Sequence, residues 1–163
     1  MSRVPGPLDE VDIRRLLARL ASAVVDDRIS AWATVELDRA ESAIRADAPR
    51  HARVNSQPVA DDDILGARCR LVHRERGTPL LLLEPSTEGR LAASLARLGE
   101  GPVALYASLP AGSVEVLRAA GVPLSAEAGG PLGRQRLVVG GPRWGPHLLV
   151  VEEANVPSPA RNR

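Results

Sequence analysis

The sequence is poor in aromatic residues. Trp32, Tyr106 and Trp144 are the full set, there is no phenylalanine, and aromatics make up 2% of the chain. Rings on which unpaired bases could stack are scarce, which argues against a single-stranded nucleic-acid binder. Cysteine is nearly missing too. Cys69 stands alone, so no intrachain disulfide and no cysteine-based zinc site can form. It lies in an alternating run, Ala67-Arg68-Cys69-Arg70-Leu71, where an inert core thiol is expected rather than a nucleophile. No sign of charge dominates. The formal net charge is +1, and the basic residues are scattered among acidic ones, which gives no electrostatic reason to bind nucleic acid or an anionic membrane. No apolar run reaches the ~18 residues that suggest a membrane-spanning helix. The N-terminus does not read as a signal peptide, because Asp9, Glu10 and Asp12 interrupt the place for its apolar stretch. A cytoplasmic protein is expected, with neither nucleic acid nor membrane as a partner.

What remains is ordinary globular material. The 163 residues are 44% hydrophobic and 25% charged, enough for one sizeable core or for two small modules that share one. That core must be built mostly of Leu, Val and Ala.

The apolar residues are arranged as a repeat. Ile29–Val35 reads as a strand and Asp38–Ala46 as a helix. Gly101–Ala107 and Ser113–Ala120 repeat the plan, with Gly121 closing the second helix. Each unit runs on to an apolar strand that carries an acid: Leu80-Leu81-Leu82-Leu83-Glu84 and Leu148-Leu149-Val150-Val151-Glu152. Trp32 then matches Leu105 and Glu84 matches Glu152, with a small loss of loop length between the halves. Between these landmarks, Arg50–Asp63 reads as a polar loop in which His51–Asn55 is at most a short strand. Pro58 and three consecutive aspartates mark it as irregular. Leu65–Glu75 alternates as a strand, and Thr87–Leu98 reads as a helix with an apolar stripe of Leu91, Leu95 and Leu98. Pro123–Ala126, Gln135–Val139 and His147–Glu153 are further strand candidates. Ahead of the repeat, Asp9–Val25 has the spacing of an amphipathic helix through Ile13, Leu16, Leu17, Leu20 and Val24. The expected organisation is an N-terminal extension and helix over 1–28, one domain of two modules (29–100 and 101–156), and a flexible tail over 157–163.

On these residues the chain resembles the vicinal oxygen chelate superfamily. This groups glyoxalase-like, extradiol-dioxygenase-like, methylmalonyl-CoA-epimerase-like and bleomycin-resistance-like proteins. The resemblance covers roughly Ile29–Glu153. It rests on the Val103-Ala104-Leu105-Tyr106 strand, the Val114–Val122 helix, the Leu148–Glu152 strand and Leu81-Leu82-Leu83-Glu84-Pro85. It implies an α+β fold in which paired βαβββ modules form a curled mixed-sheet cup around a small ligand. Enzymes of the superfamily commonly hold a divalent metal with His and Glu from the first and last strands of both modules. By that match Glu84 and Glu152 would be the closing-strand acids. The opening-strand positions would be Ile29 and Pro102, which cannot donate to a metal. His51, His73 and His147 form no short-range ligand motif. His147 and Glu152, five positions apart on a strand, should point to opposite faces roughly 16 Å apart. No family-type metal centre and no cofactor are therefore expected.

Three functional readings follow. The first is a glyoxalase- or bleomycin-resistance-like protein that binds a small organic metabolite or natural product without a metal. Its candidate ligand contacts are Trp32, Arg70, Tyr106, Arg136 and Trp144, through ring area and arginine donors. The second is an epimerase, isomerase or lyase in which Glu84 and Glu152 do acid–base work or join a reorganised metal site. The third is a non-catalytic structural or regulatory protein that binds a partner, which calls for no ligand-sized cavity. A homodimer is compatible with each. The plainer alternatives are strand-end acids bound to backbone or arginine, core or interface aromatics, and solvated strand-face arginines.

Overall fold

Period-two alternation decides which side of each strand is buried, and here it builds one sheet with two different faces. The computed structural model describes residues 28–75 and 77–153. The expected N-terminal helix and the tail lie outside the described residues. In chain order the elements are β1 (Arg28–Ala33), α1 (Leu37–Asp47), β2 (Val54–Asp62), β3 (Ala67–Arg74), β4 (Leu80–Pro85), α2 (Arg90–Leu98), β5 (Gly101–Leu109), α3 (Ser113–Ala119), β6 (Gln135–Leu137) and β7 (His147–Glu152). The strands form one seven-stranded mixed sheet in the order β2-β3-β4-β1-β5-β7-β6, curled into a half-barrel. The expected α+β class holds.

The strand pairing repeats. β4 lies parallel to β1 and antiparallel to β3, while β7 lies parallel to β5 and antiparallel to β6. The two halves meet where β1 pairs antiparallel with β5. One expectation needs correcting. Ala33 lies beside Leu83, and Ser108 lies beside Val151. With Glu84 matched to Glu152, Trp32 therefore matches Ala107 rather than Leu105, and Ile29 matches Ala104 rather than Pro102. The β1–β5 pairing shifts register between Ala31 and Trp32, and nothing in the Ala- and Leu-rich strands marks that shift.

β2 is the second correction. The polar stretch read as loop is a nine-residue strand. It is the edge strand, so half of its backbone groups can face water and its side chains can stay polar. Pro58 fits there because its missing N–H removes no ladder bond that an inner strand would need. α2 starts at Arg90, later than expected, after the turn Ser86–Gly89. Its Leu91 is buried and Leu95 half-buried, but Leu98 is exposed. Pro123–Ala126 contributes only an isolated bridge, Leu124 to Val138, and Ala128 bridges to Gln135 beyond it.

Among the described residues the concave face carries an apolar core. Ala31, Ala33, Ala67, Cys69, Leu71, Leu81, Leu83, Tyr106, Leu137, Leu149 and Val151 meet Leu65 from the β2–β3 turn and Leu91 from α2. Burying each such leucine stabilises the fold by ~1.5–3 kcal/mol. The other face carries the helices: α1 on Leu82 and Val72, α3 on Val150 and Leu109.

Asp62 fixes the turn that brings Leu65 under the sheet. One carboxylate oxygen accepts the Ile64 and Leu65 amides at 2.9 and 2.7 Å. The other accepts the Tyr106 hydroxyl at 2.5 Å. Gly66 follows with φ 71°, where a Cβ would come within 2.5 Å of the Thr87 hydroxyl. Tyr106→Phe leaves one buried carboxylate oxygen without its donor. It should cost about 2 kcal/mol in urea unfolding, and an unchanged midpoint would mean that the hydrogen bond contributes nothing net.

Candidate functional site

The two closing-strand glutamates share a task, though not the one a common cup would give them. Both lie on the helix-packed face, out of phase with the concave residues Leu83 and Val151. Glu84 accepts the Leu37 amide at the first residue of α1, at 2.8 Å, and is ion-paired with Arg68. Glu152 accepts the Val114 amide near the start of α3, at 3.5 Å. Each carboxylate satisfies a free amide hydrogen at a helix N-terminus, where negative charge is favoured. The structure does not bring the two acids together, since each attends a different helix.

The other candidates are dispersed. Trp32 lies on the helix side of β1 and is 40% exposed. Arg70 is held by Asp38 and Glu41 of α1, at 2.8 and 2.6 Å. Tyr106 is fully buried in the core, with its hydroxyl engaged by Asp62 and its acidity suppressed, first by burial and then by that carboxylate. Trp144 is half-buried in the loop before β7, with the Arg143 guanidinium 4.7 Å from its ring centroid. Arg136 bonds to Glu127 at 3.1 Å and to the Ser125 carbonyl at 3.2 Å. Cys69 is buried, and burial with Asp62 nearby pushes its thiol up to about 12, in keeping with an inert core residue.

The histidines are separate as well. His73 is exposed on β3, and His51 lines a cleft of about 500 Å³ with Arg74, Glu75 and Asp47. His147 is buried on the concave face, on the opposite side of β7 from Glu152 as expected, with Nε2 3.2 Å from the Ser94 hydroxyl of α2. A metal of the superfamily type would draw on concave side chains of β1, β4, β5 and β7. Those positions hold Ile29, Ala31, Ala33, Leu81, Leu83, Ala104, Tyr106, Ser108, His147, Leu149 and Val151. Tyr106, Ser108 and His147 have a donor atom, and Tyr106 and His147 are already hydrogen-bonded within the protein. Among the described residues no cluster of three or more His, Cys, Asp or Glu could hold a metal ion. The described residues do not fit such a centre.

Two of the candidates do share a cavity. A cleft of about 580 Å³ opens at the outer edge of the second half, where β6 and β7 end beside α3. Glu152, Arg136, Ser108, Gln135, Glu127 and Arg134 are among its lining residues. Glu127 pairs with both arginines, Arg134 foremost, and these pairs hold its carboxyl below the usual range. Gln135 did not stand out in the sequence, where it is one polar residue of a short strand. Its burial and its place in the cleft are visible only in the fold.

No protein-family model matches the chain, and no curated protein is significantly similar to it. Solved structures are. A methylmalonyl-CoA epimerase from Mycobacterium tuberculosis superposes with TM-score 0.64 at 21% identity, over 77% of this chain and 86% of that one. A methylmalonyl-CoA epimerase in complex with methylmalonyl-CoA and NH4+ gives TM-score 0.62 at 21% identity, over 80% and 96%. A hypothetical protein from Bacillus halodurans gives TM-score 0.62 at 14% identity, over 82% and 99%. These likenesses establish the fold, which the chain shares with those structures. No helix among the described residues is long and apolar enough to cross a membrane.

Two outcomes are expected. Glu84→Ala should cost about 1–2 kcal/mol of stability and Glu152→Ala less, in line with their two hydrogen-bond lengths; equal losses in urea titrations would contradict the assigned roles. His147 has its basicity lowered, first by burial and then by nearby Arg90, against an opposing pull from Asp62. The folded protein therefore disfavours His147 protonation. Below the ordinary histidine value of 6.5 the unfolded chain gains the proton first, so stability falls as pH drops through that value. His147→Gln should flatten this part of a stability–pH curve.

Proposed function

We propose that this protein binds a small organic molecule in the cleft at the β6–β7 edge, on an epimerase-like scaffold whose cup is filled by core. The observation that carries the reading is the contrast between the two places. The concave face is occupied by the buried side chains of Leu65, Leu91 and Tyr106, while the edge cleft of about 580 Å³ falls within the ~300–1,000 Å³ usual for small-molecule sites. Glu152 and Arg136 both line it. The partner-binding reading called for no ligand-sized cavity, and the cleft weighs against it.

A second reading is an epimerase or isomerase acting at the same cleft. Among the named solved structures are epimerases, which favours this class over a bleomycin-resistance-like binder. Glu152 would then move a proton at a carbon next to a carbonyl. The Val114 amide on its carboxylate would set its position.

A fragment screen by protein-observed NMR, with methylmalonyl-CoA included, tests both. Binding should perturb the amides of Gly133, Arg136 and Glu152. It should weaken about tenfold in Arg136→Ala, as expected for one lost charge-assisted contact, and stay unchanged in Arg70→Ala. Deuterium uptake at the carbon between the two carbonyls, lost in Glu152→Gln with binding retained, would establish the epimerase reading. Perturbations confined to another surface would sink both.

A further inference from the structure

Gln135 is the polar side chain that the fold leaves without an account. It is 1% exposed, and neither its Nε2 nor its Oε1 has a hydrogen-bond partner. Its backbone is fully used. The amide donates to the Ala128 carbonyl at 2.9 Å, and the carbonyl accepts the Ala128 amide at 3.0 Å. The unpaired atoms thus belong to the carboxamide alone, and burying an amide without partners is costly. Packing does not require an amide here. In the first half Cys69 pairs with Leu83 as Gln135 pairs with Val151, so a small apolar residue fills the matching place.

The surroundings say where the amide could be used. Gln135 lines the edge cleft from the concave side of the sheet with Ser108, and Arg136 and Glu152 line it from the helix side. Gly130 covers the carboxamide so closely that a Cβ there would fall 2.1 Å from its Cδ and Oε1. Only a residue without a side chain fits against it. The Gly129–Gly133 turn, which also contains Gly130, is the segment that must shift for a ligand to meet the amide.

We infer that Gln135 is the specificity-determining residue of the cleft, and that its ligand presents an uncharged donor–acceptor edge of the kind found in a lactam, primary amide or pyrimidine imide. A carboxamide offers two donors and one strong acceptor side by side, and the edge of another amide is its complement. A charged ligand is less suited. Glu127, Glu152 and Glu153 oppose Arg134 and Arg136 around the cleft, and Glu127 offsets the charge of both arginines through one nitrogen of each. The inference rests on the proposal that the cleft binds a small molecule.

The test uses uracil and 2-pyrrolidinone as probes. Their N-methylated forms, 1,3-dimethyluracil and N-methylpyrrolidinone, serve as controls that lack the donor. Wild-type protein should show shifts of the Gln135 side-chain amide signals with a donor-bearing probe and not with the controls. Gln135→Leu should melt no lower than wild type, since it removes an unpaired buried amide, and should bind the probe at least about tenfold more weakly. Gln135→Ala should lose binding likewise, which guards against a leucine that simply blocks the cleft. Equal binding of the methylated controls would overturn the inference. So would full affinity in Gln135→Leu, a marked loss of stability in that variant, or no probe binding to wild type. If the fragment screen yields a ligand held in the cleft equally by wild type and Gln135→Leu, this inference fails and the binding proposal stands. If nothing binds in the cleft, both fail.

Discussion

The Asp62 carboxylate is the constraint on which the inside of the sheet depends. Three donors converge on it: the Ile64 and Leu65 amides and the Tyr106 hydroxyl. Ile64 and Leu65 belong to the first half and Tyr106 to the second, so one buried group ties the halves together across the concave face. A carboxylate 1% exposed is tolerable only because it is so fully hydrogen-bonded. In return it fixes the turn that sets Leu65 beneath the strands. With Leu65, Leu91 and the Tyr106 ring in place, the floor of the cup becomes core, and Cys69 beside Asp62 is held as a thiol.

Sheet alternation explains why a repeated acid need not be a repeated catalytic group. Glu84 and Glu152 close equivalent strands, and each follows a residue that points into the core, Leu83 or Val151. One step along a strand reverses the face, so both acids turn toward the helices. There they meet the first turns of α1 and α3. The same repeat that suggested a shared carboxylate pair therefore produces two separate helix caps. Arg70 makes the parallel point. Its place on the helix side of β3 puts it within reach of Asp38 and Glu41, which both hold its Nη1 against α1 rather than in a cup.

Much of the fold was legible because β4, β5 and β7 are continuous apolar runs and the helices have clear stripes. What failed to read has physical causes. β2 is polar because it is an edge, and Pro58 survives there for the same reason. The match between β1 and β5 slipped by two residues because Ala- and Leu-rich strands carry no marker of register and the pairing contains an irregularity. The site was less legible still. Glu152 and Arg136 were singled out for a cup and found at an edge. Gln135 gave no signal, since neither its burial nor the approach of Gly130 can be inferred from Arg134-Gln135-Arg136.

The position of the cleft follows from an asymmetry between the halves. In the first, β2 runs nine residues beside β3, and a cleft opens only past the paired region, where Val54 and Arg74 meet His51 and the end of α1. In the second, the matching segment is reduced to two isolated bridges, Leu124 to Val138 and Ala128 to Gln135, and β6 is three residues long. Between the bridges Ser125 still bonds Leu137 but regular pairing is lost beyond it, and Gly130 closes over Gln135. Space for a ligand therefore arises where regular pairing is lost, and opening it disturbs a glycine-rich turn rather than the core. A ligand in the cup would have to displace Leu65 or Leu91. Exposing either costs ~1.5–3 kcal/mol before any contact is made.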